Sequence, residues 1–327
     1  MTADAALPDR PKPVVWSWPH ALIGVVFALP AAIASLVDPS LGIPLAVGVL
    51  PATIIGVPAR RRARSAILII GSLAGASLFL GGALAHLPTP VTGVLLIAVV
   101  VGAALLAARI SAGMVVLSLC APLVGAGLSY DSWSSAAATM GLMIGSSTYA
   151  WLVSLLWPAR SVPERPQRPL PPSAAMLDYG VRMGLAAAVV YLIAADLGLD
   201  HPGWAPAACL LVARPQLDLL RRRGVGRVVS VTVGALAAVL LLHLDPPNAV
   251  LAVTAIAVLA GAAGTTGSRW YISSAFTTLL VLLMMLGGHP EETTGKVNER
   301  VGETVLGVAA AYLFGWAIPV LRRRLRS

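Results

Sequence analysis

The stretch His201-Pro-Gly-Trp-Ala-Pro-Ala-Ala-Cys-Leu-Leu-Val-Ala-Arg-Pro-Gln216, with Arg221-Arg-Arg223 shortly beyond it, places an arginine and several helix breakers inside an apolar run. In hydrocarbon an arginine costs at least about 2.5 kcal/mol and persists where it faces a cavity, a partner or a solute. The surrounding chain says that this run belongs in a membrane. Hydrophobic residues make up 57% of the sequence and charged residues 11%, with a mean hydropathy of +0.84. In soluble domains about a quarter of residues are charged.

About twelve apolar stretches, each near the ~20 residues that span a ~30 Å hydrocarbon core, can be drawn along the chain. They cover residues 20–37, 41–58, 65–87, 90–107, 110–129 and 140–157, then 178–197, 202–220, 225–244, 248–265, 271–288 and 298–319. The formal charge of +9 is spread over alternate gaps, which argues against a nucleic-acid partner. Arg10 and Lys12, Arg60 to Arg64, Arg109, the linker arginines, Arg221 to Arg227, Arg269 and Arg322 to Arg326 fall on one side if every stretch spans. The positive-inside rule makes that side cytoplasmic and predicts both termini there. Asp38, His86, Asp131, Asp200, His201, His243, Asp245, His289, Glu291 and Glu292 occupy the opposite gaps. Ala32-Ile-Ala34 resembles a signal-cleavage site, but its removal would leave an odd number of stretches. The expected architecture is therefore an all-α integral membrane protein of the cytoplasmic membrane.

Residues 158–175 are rich in proline and predict an extended spacer. They divide an N-terminal segment (1–19) and a first six-helix unit (20–157) from a second unit (176–320) and a basic tail (321–327). Arg64 and Gly71 match Arg227 and Gly234, Arg109-Ile-Ser111 resembles Arg269-Trp-Tyr271, and Trp157 matches Trp316. Because six is even, both units enter from the same side, as parallel repeats do. Pro44 and Pro51 lie in the second stretch where Pro206 and Pro215 lie in the eighth. Paired, proline-interrupted segments point to a transport site, although a membrane helix also tolerates proline as a kink.

Pro215 removes an amide and pushes Arg214 from α geometry, so Arg214 either lines an inner cavity or reaches the cytoplasmic interface. Its planar fork suits a carboxylate, and Asp218 stands at i+4 as a counter-ion if the helix resumes. Arg182 follows Asp178 by one turn and reads as a surface pair or a cavity cation. Arg300 and Glu303 share a face near the outer end of the last stretch, where the carboxylate either carries a proton or ties two helices. Trp204 is placed to anchor at the interface or to stack on an aromatic solute. Most other tryptophans flank stretches as belt residues do. Gly71 with Gly75 and Gly141 with Gly145 have the small-xxx-small form of close helix packing. Cys120 and Cys209 stand alone, so neither a disulfide nor a metal set is expected. No phosphate loop, paired-histidine motif or nucleophile elbow suggests an enzyme or a cofactor.

The run from His201 to Gln216, followed by Arg227-Val-Val-Ser-Val-Thr-Val-Gly-Ala235, Arg269-Trp-Tyr271 and Arg300-Val-Gly-Glu-Thr-Val-Leu-Gly307, resembles the fusaric acid resistance and aromatic acid exporter (FUSC-like) family. The resemblance covers roughly residues 178–324 and is weaker before them. It implies two six-helix membrane units and efflux of aromatic or other weak organic acids driven by proton exchange. Carried onto this chain, its motifs fall on Trp204, Pro206, Arg214, Pro215 and Gln216, and on Arg300, Glu303, Thr304 and Gly307. Larger members carry a cytoplasmic domain where this chain has a short linker, and the first unit lacks an equivalent of Arg214.

The expectation is a secondary exporter of anionic, aromatic weak acids, with a small organic anion, protons and the lipid bilayer as partners. Arg214, Trp204, Gln216, Pro215 and Arg182 are its substrate-binding candidates; Glu303, Arg300 and Asp218 are its proton-coupling candidates. A passive anion channel or a non-transporting organiser of the cell envelope would fit the same stretches, and a homo-oligomer is compatible with them.

Overall fold

The computed structural model describes residues 14–159, 169–214, 217–286 and 293–324. Most of the proline-rich spacer therefore lies outside the described residues. Within them the chain is helical, without a strand. The first half holds α1 (Trp18–Val37), α2 (Pro39–Ile55), α3 (Ser65–Ala85), α4 (Thr89–Arg109), α5 (Gly113–Gly127, with a π-turn at Val116–Cys120) and α6 (Trp133–Leu155). The second holds α7 (Ser173–Asp196), α8 (Trp204–Val212), α9 (Leu217–His243), α10 (Asn248–Gly264), α11 (Trp270–Leu286) and α12 (Thr293–Tyr312). A π-turn at Leu313–Ala317 carries α12 on into Ile318–Arg324.

Six of these helices, α1, α3, α4, α7, α9 and α12, are long and apolar enough to cross a membrane, and α2, α5, α10 and α11 are shorter apolar helices. The bundle is apolar on the outside. On α9 the exposed positions are Val225, Val229, Val233, Leu236 and Leu240, one stripe at helical spacing. The opposite face buries Arg227, Ser230, Val231, Gly234, Ala235 and Ala238. Polar residues inward and aliphatic residues outward is the pattern that a lipid solvent selects.

The eighth stretch departs from the sequence expectation of one span. α8 is nine residues long, which rises only about 13 Å. It ends at Val212, where Ala213 turns to an extended ψ of 128°. Pro215 cannot donate the next helical bond, and its ring disfavours helical geometry at Arg214, so the break falls where the sequence places it. The helix resumes at Leu217, so that Arg221 to Arg227 lie within α9 rather than in a gap. Pro44 and Pro51, expected to interrupt α2 in the same manner, do not: α2 runs unbroken from Pro39. Each of these prolines removes one i→i−4 bond, and α2 accommodates both losses within a continuous helix. Asp38 caps α2 by accepting from the Ser40 amide at 2.8 Å, and Gly56, at φ 67°, ends it.

Helix pairings in the first half recur six helices later. α1 packs on α10 and α4 on α7; α3 packs on α5 and α6 as α9 packs on α11 and α12. Likewise α2 meets α6 and α11, while α8 meets α12 and α5. Small residues permit the close approaches: a side chain on Gly81 of α3 would strike the Val124 carbonyl of α5, and one on Gly127 the Leu78 carbonyl. Of the two small-residue motifs, Gly71 and Gly75 do meet α6, at Ser147 and Met140, whereas Gly141 and Gly145 face open space.

Arg64 closes the inner end of the first half. Fully buried, it donates to the carbonyls of Pro58 (3.1 Å), Ser154 (2.6 Å), Trp157 (2.9 Å) and Pro158 (3.1 Å). Carbonyls at a helix end lack their full set of helical partners, and the guanidinium supplies them; the Ser154 carbonyl also accepts from the Trp157 amide at 3.1 Å. Arg64→Ala should cost roughly 2–4 kcal/mol by stranding several carbonyls, and Arg64→Lys should recover little because an ammonium cannot reach them as a fork does. Thermal unfolding in detergent measures this; an unchanged midpoint in Arg64→Ala would show that the clamp is not structural.

Candidate functional site

α8, α9, α11 and α12 converge on a buried polar cluster. α12 approaches α8 so closely that a side chain at Gly307 would strike the Ala205 carbonyl. The contact sets Arg300 above Trp204, with the guanidinium carbon 3.4 Å from the ring centroid. Trp204 and Arg300 are each 9% exposed. Stacking satisfies the face of the guanidinium and leaves its in-plane N–H groups for something else. Among the described residues, Nε and Nη1 of Arg300 have no hydrogen-bond partner.

One turn on, Glu303 is 2% exposed, and its Oε1 also lacks a partner. Arg300 feels the charges of both Glu303 and Arg227. Arg227, 5% exposed on α9, donates through Nη1 to the Ser274 hydroxyl of α11, while its Nε is unfilled. Thr304 and Thr278 line the same level with hydroxyls turned to the Arg300 and Ser274 carbonyls. Two cations and one carboxylate are thus enclosed together, with polar atoms to spare. Such groups are costly to bury unless something completes them.

Next to the cluster lies a rim formed by the α7–α8 connection and the first turns of α12. Glu299 accepts from the His201 amide at 3.0 Å, and its other oxygen is 3.9 Å from His201 Nδ1. The His201 ring meets Trp204 edge-on with centroids 5.8 Å apart. Burial holds the imidazole below its ordinary pKa, against the upward pull of Glu299, Asp200 and Asp131. Beside it, a depression of about 360 Å³ is lined by His86, Tyr130, Asp131, Tyr191, Asp200 and Pro202 among others. Ser129 on its wall accepts from the Gly203 amide at 3.1 Å, fixing the start of α8.

The remaining candidates lie elsewhere or are engaged. Arg214, at the inner end of α8, donates to the Ala213 carbonyl at 2.5 Å and bonds the buried Tyr179 of α7. Arg182 pairs with Asp178 at 2.7 Å and reaches the Phe314 carbonyl at 3.3 Å, pinning the π-turn of α12. Pro215, Gln216 and the Asp218 side chain lie outside the described residues. Sequence reasoning brought Trp204, Arg300 and Glu303 to notice but took Arg227 for a mark of topology. The overlooked signal was helical phase: Arg227 shares a face with Ser230 and Gly234, opposite the Val225 to Leu240 stripe.

Residues 185–314 match the family described as fusaric acid resistance protein-like. Two curated relatives are similar over part of the chain. The p-hydroxybenzoic acid efflux pump subunit AaeB of Edwardsiella tarda (strain FL6-60) is 27% identical over 159 residues, which is 44% of this chain and 24% of the relative. Its namesake from Edwardsiella ictaluri (strain 93-146) is 26% identical over 157 residues, 43% of this chain and 24% of the relative. The chain thus aligns with about a quarter of the length of the curated relatives it matches. No solved structure matches it. The chain is a multi-pass membrane protein, and its residues 185–314, which carry Trp204, Arg227, Arg300 and Glu303, are similar to the family described as fusaric acid resistance protein-like.

Proposed function

We propose that this protein moves anionic, aromatic weak acids outward across the cytoplasmic membrane, and that the Trp204–Arg300 cluster holds the acid during passage. The observation that carries this reading is the buried guanidinium of Arg300, covered on one face by indole and unfilled at its edge. A carboxylate fits that edge as a two-pronged acceptor. An aryl group attached to it meets the same indole, so the site selects charge and flatness together. The relatives are named as efflux pump subunits for p-hydroxybenzoic acid, a molecule of that shape.

The repeated helix pairings support two parallel six-helix units with both termini cytoplasmic and a pathway between them. In this arrangement Arg214 and Tyr179 stand at the inner mouth, where cations draw anions in. Asp131, Asp200 and Glu299 stand at the outer mouth, where carboxylates discourage a released anion from returning. Pro215 and Gln216 fall between α8 and α9 in sequence, outside the described residues, and Arg182 braces the end of α12 through the Phe314 carbonyl.

Two variants test this directly with p-hydroxybenzoate in proteoliposomes. Arg300→Gln should lower efflux at least about tenfold, since a charge-assisted bidentate contact is lost, and unchanged rates would overturn the assignment. Trp204→Leu should reduce the preference for aromatic over aliphatic carboxylates by roughly three- to tenfold while Trp204→Phe largely keeps it. A preference that ignores both substitutions would remove the indole from the site.

A further inference from the structure

The cluster contains one charge more than a salt bridge needs. Arg300 and Glu303 balance each other, and Arg227 is left over: its contacts are the neutral Ser274 hydroxyl and an unfilled Nε. The other groups around Glu303 do not cancel it inside the protein. Glu299 on the same helix and Asp200 on the α7–α8 connection act on Glu303 from the rim, where Glu299 is taken by the His201 amide. α8 brings Trp204 and no charge; α11 brings Ser274 and Thr278; Arg182 of α7 is held by Asp178 and the Phe314 carbonyl.

The first half shows that an unfilled buried arginine is not a general feature of this bundle. Arg64 precedes α3 as Arg227 lies on α9, and the two have matching neighbours in α6 and α12. Yet Arg64 has four carbonyl acceptors. Moreover, α2 and α6, which stand where α8 and α12 stand, contain no charged residue at all. Among the described residues, a cluster of charges enclosed at this level is found in the second half, where Arg300, Glu303 and Arg227 stand, and α2 and α6 offer none to match it.

We infer that Arg227 is the second cation of the cargo site, so that the cluster takes one monocarboxylate while Glu303 stays ionised and carries that negative charge across the membrane without exchanging it for a proton. The inference rests on the cluster being the transport site. With cargo bound, two cations face two carboxylates and the enclosed charge is zero. Proton exchange would instead require a state with Glu303 protonated and the cargo gone. Arg227 and Arg300 would then face each other without a counter-charge, which a low-dielectric interior strongly disfavours. With both cations in place, the ionised Glu303 and the cargo carboxylate each have a positive partner, so binding needs no proton. An inside-negative membrane potential is sufficient to drive a net negative charge outward.

The test is benzoate efflux from proteoliposomes of the full chain, with potential set by potassium and valinomycin. The wild-type rate should rise with inside-negative potential and ignore a pH gradient at zero potential. Arg227→Gln leaves a neutral Arg300–Glu303 pair, so KM at pH 7.5 should rise at least about tenfold and recover as the pH falls and Glu303 takes up a proton. Arg227→Gln with Glu303→Gln restores one net positive charge and should return KM to within about threefold of wild type, independent of pH. Glu303→Gln alone should tighten KM and covers the case in which Arg227→Gln does not fold. A wild-type KM in Arg227→Gln, a double variant no better than the single one, a weaker Glu303→Gln, or a flux that follows the proton gradient and ignores voltage would each overturn the inference. If Arg300→Gln also transports benzoate at the wild-type rate, the site itself is misassigned.

Discussion

A charge enclosed in a lipid-facing bundle has no water to turn to, so the protein or its cargo must complete it. Arg300 is the case on which the second half of this molecule depends. Its approach to Trp204 requires α12 to lie against the Ala205 carbonyl, which Gly307 allows, and requires α8 to begin where Gly203 is held by Ser129. α8 is a half-length helix, and the turn after Val212 lets α9 bring Arg227 to the same level. What looks like a set of separate packing details is one device for holding cations beside an indole.

The two halves make the contrast plain. Arg64 and Arg227 occupy matching places, and both are buried. One is spent on the Pro58 carbonyl and on carbonyls at the end of α6. The other meets a hydroxyl, a second arginine and a carboxylate. Similar helix pairings thus surround a structural clamp in one half and the proposed binding cluster in the other.

Much of this was legible in the sequence because its signals are backbone signals. Apolar length placed many of the helix ends closely, although α6 begins at Trp133 rather than 140 and α9 at Leu217 rather than 225, and the Arg214-Pro215 pair placed the break after α8. The family resemblance over residues 178–324 matches the segment 185–314. Other features were not legible. Pro44 and Pro51 read as equivalents of Pro206 and Pro215, but each removes a single helical bond, and α2 stays whole. Arg214 drew attention by its place beside Pro215, yet it is held by Ala213 and Tyr179. Arg227 was hidden at the end of a basic run whose composition spoke for topology, and only its helical face separates it from Arg221 to Arg223.

The central claim is that Trp204, Arg227 and Arg300 bind a flat carboxylate by its charge. Calorimetric titration of the purified protein with benzoate and with benzamide, repeated on Arg300→Gln, addresses it without any assumption about driving force. The account predicts saturable benzoate binding to the wild type, none of benzamide, and neither ligand bound by Arg300→Gln. Equal benzoate binding by wild type and Arg300→Gln would contradict it.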